Sequence, residues 1–459
     1  MKKFIAYIFL LQVILSPSLL RAADPEDLAG HWNGYSVYKT NTLYFTTDFH
    51  KDSVSFTAVF NSDEEMAFEI PLMNLKATRD SVFYIMNVGS ETWNFSAYYY
   101  HNKVKGIVQK GNLTGDFQLE REDAPKIKYT RRDTTFTNES VTLAGTLYIP
   151  NGQGPFPAII FMPGSGDESR TGSAYLAQHF SQMGYVILIY DKRGVNKSTG
   201  DWHTSNFTDL AHDCIAGIKL LQGVPLVIKD KIGVYGHGES GAICPLVLNL
   251  FPGAAFTISA SSAGVPMIES FEYEAKSRLS KVLSSNQLEM VLPLVKLQAD
   301  YALTMDGWNK IEEANELYSG EKWYEDFVQP PPQDDWWYSY YNKIGNYNPV
   351  DFWKNVKQPV LLLKGEHDGV TPGYPTFQNI EEALKRSGCI QYKIVFFPNT
   401  DHDFHVIDRN NVFWYKSIPN FCETISDWLK KNNFVPDKNA LKPLKKNNAD
   451  EDEEDNDNE

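Results

Sequence analysis

Five largely apolar runs of residues constrain the fold of this chain more than any other feature. They lie at 157–162, 185–190, 231–235, 255–258 and 359–363. Segments with helical spacing, such as 209–221 and 376–385, separate several of them. Strands that are apolar on both faces and alternate with helices are typical of a mostly parallel sheet covered by helices. The sequence therefore predicts an α/β domain over 141–435.

Within that domain, the stretch 265–349 breaks the alternation of strands and helices. It is helical in spacing and then dense in Trp and Tyr. We interpret it as a helical cap inserted over the sheet. Its tryptophans, Trp308, Trp323, Trp336 and Trp337, either line an apolar pocket or pack on the sheet.

Residues 24–125 follow a different pattern, with short runs of period-two alternation separated by polar turns, as at 53–59 and 92–98. This pattern is typical of antiparallel strands, in a sandwich or a small barrel. We predict an antiparallel all-β domain here, followed by a linker at 126–140. A function as a sugar or lipid binder in this domain stays open.

The two ends of the chain indicate a leader and a tail. Residues 1–23 combine Lys2 and Lys3 with an apolar run at 4–15, which is typical of a signal peptide. A membrane anchor would need about 20 apolar residues. We therefore predict export, to the periplasm or the exterior, with no membrane span in the mature chain. Residues 436–459 end in acids and predict a disordered tail.

Charge and cysteine content exclude several classes of function. The 459 residues carry a formal net charge of -15, so no basic excess is available to neutralise nucleic-acid phosphates. The four cysteines form no CxxC pair, which argues against a disulfide framework and a cysteine zinc site.

The segment 231–243 carries the strongest catalytic signal. An apolar strand runs into the Gly-rich corner Gly-His-Gly-Glu-Ser-Gly and then into a helix, which is the context of a nucleophile elbow. Small residues are needed two places either side of the nucleophile. Ser240 meets this rule, with Gly238 before it and Ala242 after it.

With this corner, the chain resembles the α/β-hydrolase family over most of 140–432, in particular exported bacterial serine esterases and serine aminopeptidase-like hydrolases with an N-terminal β domain. Four further segments resemble its oxyanion, Arg-Gly, acid and histidine loops: 163–166, 191–198, 365–372 and 400–404. The resemblance implies a doubly wound, mostly parallel sheet with a cap. It also implies Asp368 and His402 as triad members, and the backbone N–H groups of Ser165 and Glu239 as oxyanion donors.

The corner also departs from the family pattern. The strand of these hydrolases usually continues as Gly-His-Ser-x-Gly-Gly, and counting from Ile232 puts the nucleophile at 238, which is Gly238. If strand register decides, the nucleophile is missing. If the corner lies two residues later, Ser240 is at its apex and the triad is complete.

We predict hydrolysis of a carboxylic ester, or less readily an amide, through an acyl-enzyme on Ser240. His402 would act as the base and Asp368 would orient it. The expected substrate is a small ester or a short peptide-like molecule, with no cofactor. The alternative is a non-catalytic homologue that keeps a binding cleft, because of Gly238. We expect no metal site, although polar residues near His402 were candidates: His367, His405, Asp401 and Asp403.

Overall fold

A computed structural model describes residues 28–408 and 411–443. The predicted signal peptide at 1–23 and the acidic end of the chain at 444–459 lie outside the described residues. The described chain forms two compact units. Residues 62–69 and those from 125 onwards belong to the second unit, and the rest belong to the first.

The first unit is a closed barrel whose eight strands follow chain order. The strands are β1 (Gly30–Tyr38), β2 (Asn41–Lys51), β3 (Phe56–Ser62), β4 (Ala67–Ala77), β5 (Ser81–Val88), β6 (Glu91–Tyr100), β7 (Lys103–Lys110) and β8 (Leu113–Glu122). β1 pairs antiparallel with both β2 and β8, which closes the barrel. Alternate side chains are buried. In the interior Tyr84 stacks on Phe95, and Phe45 contacts Phe95 edge-on. The predicted antiparallel β fold is confirmed.

The second unit contains an eight-stranded sheet in the order β16-β15-β14-β13-β11-β12-β10-β9. Its strands are β9 (Tyr129–Asn138), β10 (Val141–Pro150), β11 (Phe156–Phe161), β12 (Val186–Tyr190), β13 (Val227–His237), β14 (Phe256–Ala260), β15 (Val360–Gly365) and β16 (Tyr392–Phe397). The pairings from β12 to β16 are parallel, and β9 and β10 form an antiparallel edge. This confirms the predicted mostly parallel α/β sheet.

Helices connect these strands. They are α1 (Ala174–Gln182), α2 (Phe207–Gln222), α3 (Glu239–Leu250), α4 (Met267–Leu279), α5 (Ser285–Thr304), α6 (Trp308–Tyr318), α7 (Lys322–Phe327), α8 (Trp336–Ile344), α9 (Val350–Trp353), α10 (Tyr374–Ser387) and α11 (Phe421–Lys431). The sheet has a buried apolar layer on each face, because its strands are apolar on both sides. Helices α4–α8 come between β14 and β15 and have an apolar core of their own.

Two sequence predictions differ from this architecture. The segment 126–140, predicted as a linker, contains β9, which pairs with β10 over ten residues. Its Tyr129 and Phe136 are buried while the side chains between them are mostly exposed, as suits an edge strand. The tail predicted from 436 also begins too early. Ala440 is buried, and its carbonyl accepts a hydrogen bond from the N–H of Gly154.

Across residues 28–408 and 411–443, no helix combines the length and the apolar character that crossing a bilayer requires.

Candidate functional site: a hydrolase cleft with glycine at the elbow

The corner between β13 and α3 is centred on Gly238. This residue has φ 57° and ψ -115°, a conformation that is strained for any residue with a side chain. Two residues before it, Gly236 presses against the backbone of Ser240, where an added Cβ would lie 2.4 Å from the carbonyl oxygen. The backbone therefore has the tight, strained turn of a nucleophile elbow, and glycine stands at its apex.

Ser240 lies in the first turn of α3 and not at the apex. Its side chain is buried, and its hydroxyl accepts a hydrogen bond from the N–H of His237 at 2.9 Å. The same hydroxyl lies 3.0 Å from the carbonyl oxygen of His237 and 3.2 Å from that of Met162, which are its acceptors. These contacts close the turn. Of the two predicted positions of the corner, the structure therefore has the one at 238 that follows from strand register, and Ser240 lies below the apex.

Asp368 and His402 meet as the sequence predicts. The loop after β15 carries Asp368, and the loop after β16 carries His402, whose Nδ1 lies 2.9 Å from Oδ2 of Asp368. The other ring nitrogen, Nε2, faces the elbow: a Cβ added at Gly238 would lie 3.1 Å from it. An acid and a histidine are thus assembled against the position where a nucleophile would stand.

The Asp368 carboxylate is held by four further donors besides His402. They are the Lys364 amine at 2.6 Å, the Val370 N–H, the Thr371 N–H and the Thr371 hydroxyl. Burial opposes ionisation of this carboxyl, but the hydrogen bond and charge of His402 and the Lys364 amine outweigh it, so its pKa lies well below the usual range. Asp368 is therefore an ionised and rigidly oriented partner for the imidazole.

The loop after β11 carries the predicted oxyanion donor Ser165. Ser165 is exposed, and its neighbour Gly164 donates its N–H to Oε2 of Glu168. Burial raises the pKa of the Glu168 carboxyl to about 7, although the Gly164 N–H and the charge of Lys192 favour its ionised form. Glu168 thus holds the loop in place through the N–H of Gly164. The N–H of Ser165 has no protein acceptor among the described residues.

Glu239, the second predicted oxyanion donor, has a side chain with a separate role. Its Oε1 accepts from the Lys192 amine at 2.9 Å, and its Oε2 accepts from the hydroxyl of Tyr340 on α8 at 2.9 Å. Lys192 is buried and also donates to the carbonyl oxygen of Gly164 at 2.8 Å. Glu239 therefore links the start of α3 to both the oxyanion loop and the cap.

In the described part of the chain, the arrangement most similar to a metal site consists of two histidines and one aspartate. Donor atoms of His237, His402 and Asp403 lie within 4.8 Å of one another. Ligands of one zinc ion lie closer, at roughly 3.4 Å for bonds of about 2.1 Å. His237 Nε2 also contacts the carbonyl oxygen of His402 at 3.0 Å. Both the pairwise spacing and this contact would have to change before a metal could bind.

Sequence reasoning missed three residues that shape the site: Glu168, Lys192 and Lys364. Lys192 pairs with Glu239, which is 47 positions away, whereas Glu168 and Lys364 each pair with a group four residues away, and no motif spacing identifies any of the three. The signal that was available is a lysine next to an apolar strand, at Lys192 after β12 and Lys364 within β15, because a buried lysine requires a partner. The neighbouring Arg193 is also buried, and it pairs with Asp213 of α2.

Comparison with known proteins places this geometry in a family. The family described as X-Pro dipeptidyl-peptidase (S15 family) matches residues 139–402. The chain belongs to that family. Like its relatives, it has the α/β-hydrolase fold, and the S15 match ends at the histidine that pairs with Asp368. The predicted family resemblance is confirmed, and membership indicates a hydrolase of ester or peptide substrates.

The S15-family chain is also similar to individual esterases and peptidases. Esterase EstD of Thermotoga maritima is 24% identical over 337 residues, covering 69% of this chain and 73% of EstD. Esterase FrsA of Shigella boydii is 26% identical over 145 residues, which is 31% of this chain and 34% of FrsA. Among solved structures, a Mycobacterium smegmatis proline iminopeptidase has a TM-score of 0.44 and 16% identity, covering 66% of this chain and 99% of that structure.

Proposed function

We propose that the hydrolase domain binds the carbonyl group of an ester or a short peptide-like ligand without forming a serine acyl-enzyme. The observation that carries the proposal is the exchange of residues at the elbow. Gly238 stands at the strained apex, and the Ser240 hydroxyl closes the turn beneath it. A glycine has no group that attacks a carbonyl, so the acylation step of the family lacks its nucleophile.

Two backbone N–H groups and the His402 imidazole support binding of a carbonyl group. The N–H groups of Ser165 and Glu239 donate to no protein acceptor within the described residues, and Glu239 begins the twelve-residue helix α3. Backbone donors at such positions stabilise a partly negative carbonyl oxygen. His402 supplies a further polar contact, because its Nε2 faces Gly238. A carbonyl compound therefore has both donors and an imidazole to contact.

Acylation through Ser240 is disfavoured by what its hydroxyl already does. To attack a ligand, this hydroxyl would have to leave its contacts with His237 and Met162. The N–H of His237 would then be buried without an acceptor, which costs about 1 to 3 kcal/mol. The turn would also have to move two residues along the chain, against the parallel register that pairs His237 with Ala260.

A fluorophosphonate probe tests the proposal, because it forms a covalent adduct with an activated serine. We expect intact-mass spectrometry of the full chain to show no adduct, and the Gly238→Ser variant to show one per molecule. The same samples, titrated with p-nitrophenyl methylphosphonate as an anionic analogue of the tetrahedral state, should show binding and a raised Tm. An adduct on Ser240, or no binding of the phosphonate, would overturn the proposal.

We further propose that the protein is exported, and the support for this is its sequence alone. Lys2, Lys3 and the apolar run at 4–15 have the form of a secretory leader. Expression with a C-terminal tag, followed by fractionation and N-terminal sequencing, should find mature protein outside the cytoplasm that lacks the first 20 or so residues. Full-length protein in the cytoplasm would contradict export.

A further inference from the structure

Gly238 leaves open space in front of the catalytic imidazole. Apart from its chain neighbours His237 and Glu239, a Cβ built on this residue would have two atoms of the described residues within 4 Å: Nε2 of His402 at 3.1 Å and its Cε1 at 3.6 Å. In an intact elbow the nucleophile's Cβ and Oγ would occupy this region. Here residue 238 has no side chain to fill it and a hydrogen-bonding nitrogen of His402 faces it, so the place of the nucleophile's hydroxyl is left to a polar molecule as small as water.

The imidazole is prepared to take a proton on its open side. The Asp368 carboxylate lies 2.9 Å from Nδ1, and an ionised carboxylate can only accept, so Nδ1 carries a hydrogen and the lone pair of the neutral imidazole is on Nε2. Four donors fix that carboxylate in place, with Lys364 at 2.6 Å. His402 therefore keeps the tautomer and orientation of a general base, although no serine stands before it.

We propose that the protein hydrolyses small carboxylic esters by direct attack of a water molecule held between Gly238 and His402. The inference rests on the proposed binding of a carbonyl ligand. As the water oxygen bonds to the carbonyl carbon, His402 Nε2 takes one water proton. The tetrahedral intermediate places its oxyanion on the N–H groups of Ser165 and Glu239. The bond to the leaving alkoxide then breaks, and that alkoxide recovers the proton from His402. The products are an acid and an alcohol, and the enzyme is unchanged.

This route is slow by the standard of serine hydrolases. An enzyme that has lost its nucleophile keeps about 10³- to 10⁴-fold acceleration over water from its oxyanion donors and binding. General-base assistance by a positioned histidine contributes about 10²- to 10⁴-fold. We therefore expect turnover of an activated aryl ester that is measurable above buffer but shows no burst, because no acyl-enzyme accumulates.

The experiment compares hydrolysis of p-nitrophenyl butyrate by the full chain and four variants, each checked for folding by its thermal transition. Every sample is assayed before and after treatment with a fluorophosphonate, which silences contaminating serine esterases. We expect the wild-type rate to survive this treatment. His402→Gln should lower it about 100-fold, whereas His212→Gln, at an exposed position on α2, should leave it unchanged.

Two substitutions of Gly238 distinguish attack by a water between Gly238 and His402 from hydrolysis at any other place in the protein. Gly238→Ala places a methyl group 3.1 Å from Nε2 and should remove at least nine-tenths of the activity. Gly238→Ser adds the same carbon with a hydroxyl, and should convert the kinetics to a burst that fluorophosphonate abolishes. Should Gly238→Ala fail to fold, the comparison of His402→Gln with His212→Gln decides alone.

The outcomes distinguish the two proposals. Phosphonate binding without fluorophosphonate-resistant hydrolysis would overturn water attack and leave the binding proposal in place. Hydrolysis that fluorophosphonate destroys, with an adduct on Ser240, would overturn both. An equal rate in wild type and His402→Gln would also overturn water attack, because the base would have no role. Activity that a chelator removes would overturn it as well, and would assign the reaction to a metal at His237, His402 and Asp403.

Discussion

The corner after β13 and the loops after β15 and β16 are two halves of one site, and they differ in how far they depart from the family pattern. The corner has no side chain at its apex, since Gly238 stands where a nucleophile is expected. The loops keep the whole acid–histidine arrangement, in which Asp368 has five hydrogen-bond partners. The acid–histidine arrangement is therefore complete, although the corner presents no nucleophile to it.

The difference follows from what each half contributes to stability. A side chain at 238 would have to adopt φ 57° and contact His402 closely, so glycine relieves strain there. Asp368 compensates the buried charge of Lys364, so it cannot be removed without leaving an unpaired amine inside the protein. Asp368 thus stabilises the folded protein, whereas a side chain at 238 would destabilise it.

The largest expected effect is a gain at the corner. Gly238→Ser should restore a Ser–His–Asp arrangement and raise ester hydrolysis by at least about 100-fold, since loss of such a serine costs about 10⁶-fold in intact enzymes. The same change should lower the free energy of unfolding by about 1 to 3 kcal/mol, because a residue with a side chain is strained at φ 57°.

Stopped-flow assay and urea unfolding measure the two effects of Gly238→Ser. Gly320→Ser is the matched control, since Gly320 also has positive φ, has open space around it and lies in the cap. It should be destabilised without any gain in hydrolysis. A Gly238→Ser protein that folds, yet shows neither adduct nor faster hydrolysis, would mean that the acid–histidine half is not competent for catalysis.

Sequence alone predicts the loops that carry Asp368 and His402 better than it predicts the corner at Gly238. The apolar runs gave strands β11–β15 in order, and parallel strands bring loops at their carboxyl ends to one edge. The placement of Asp368 and His402 follows from that strand order. The position of the corner does not follow from the sequence, because small residues stand two places either side of both 238 and 240. The spacing fits both positions. The backbone angles of Gly238, the contact of Gly236 with the Ser240 backbone and the hydrogen bonds of the Ser240 hydroxyl decide between them.

The buried ion pairs were beyond sequence reasoning for a different reason. Lys192 meets Glu239 across 47 positions, and its other partner is a carbonyl oxygen of the loop after β11. Lys364 and Asp368 are close in sequence, but at the end of an apolar strand a lysine is ordinarily expected to reach solvent. Burial of both partners is a property of the packed loops and cap, which no local pattern encodes.

The second prediction concerns replacement of Asp368, the acid that pairs with His402. Asp368→Asn should lower the free energy of unfolding by about 3 to 5 kcal/mol, because Lys364 is fully buried and would lose its counter-charge. Chemical denaturation at pH 7 measures this loss. Glu382→Gln, which breaks an exposed ion pair with Arg386 on α10, should cost less than about 0.5 kcal/mol. Equal losses in the two variants would contradict the structural role of Asp368.

The third prediction tests Ser240 as a turn residue. Ser240→Ala should cost about 1 to 3 kcal/mol, because the N–H of His237 loses its acceptor in a buried corner. The exposed Ser280 donates only to the carbonyl oxygen of Ser277, so Ser280→Ala should cost less than about 0.5 kcal/mol. Ester hydrolysis by Ser240→Ala, measured per folded molecule, should stay within twofold of wild type. A loss of more than tenfold would return Ser240 to the reaction.

The smallest effect concerns Glu168, which supports the oxyanion loop beside the corner. Burial raises the pKa of its carboxyl to about 7 from an ordinary 4.5, so the folded protein binds this proton more tightly than the unfolded chain does. Its contribution to stability is therefore complete below about pH 4.5 and is lost as pH rises towards 7.

Glu168→Gln keeps an acceptor for the Gly164 N–H and removes the titration. The wild type should thus lose about 1 to 2 kcal/mol relative to the variant between pH 4.5 and 7.5. Urea unfolding across that range measures the difference, and a difference that grows in favour of the wild type would show that Glu168 is ionised in the folded protein.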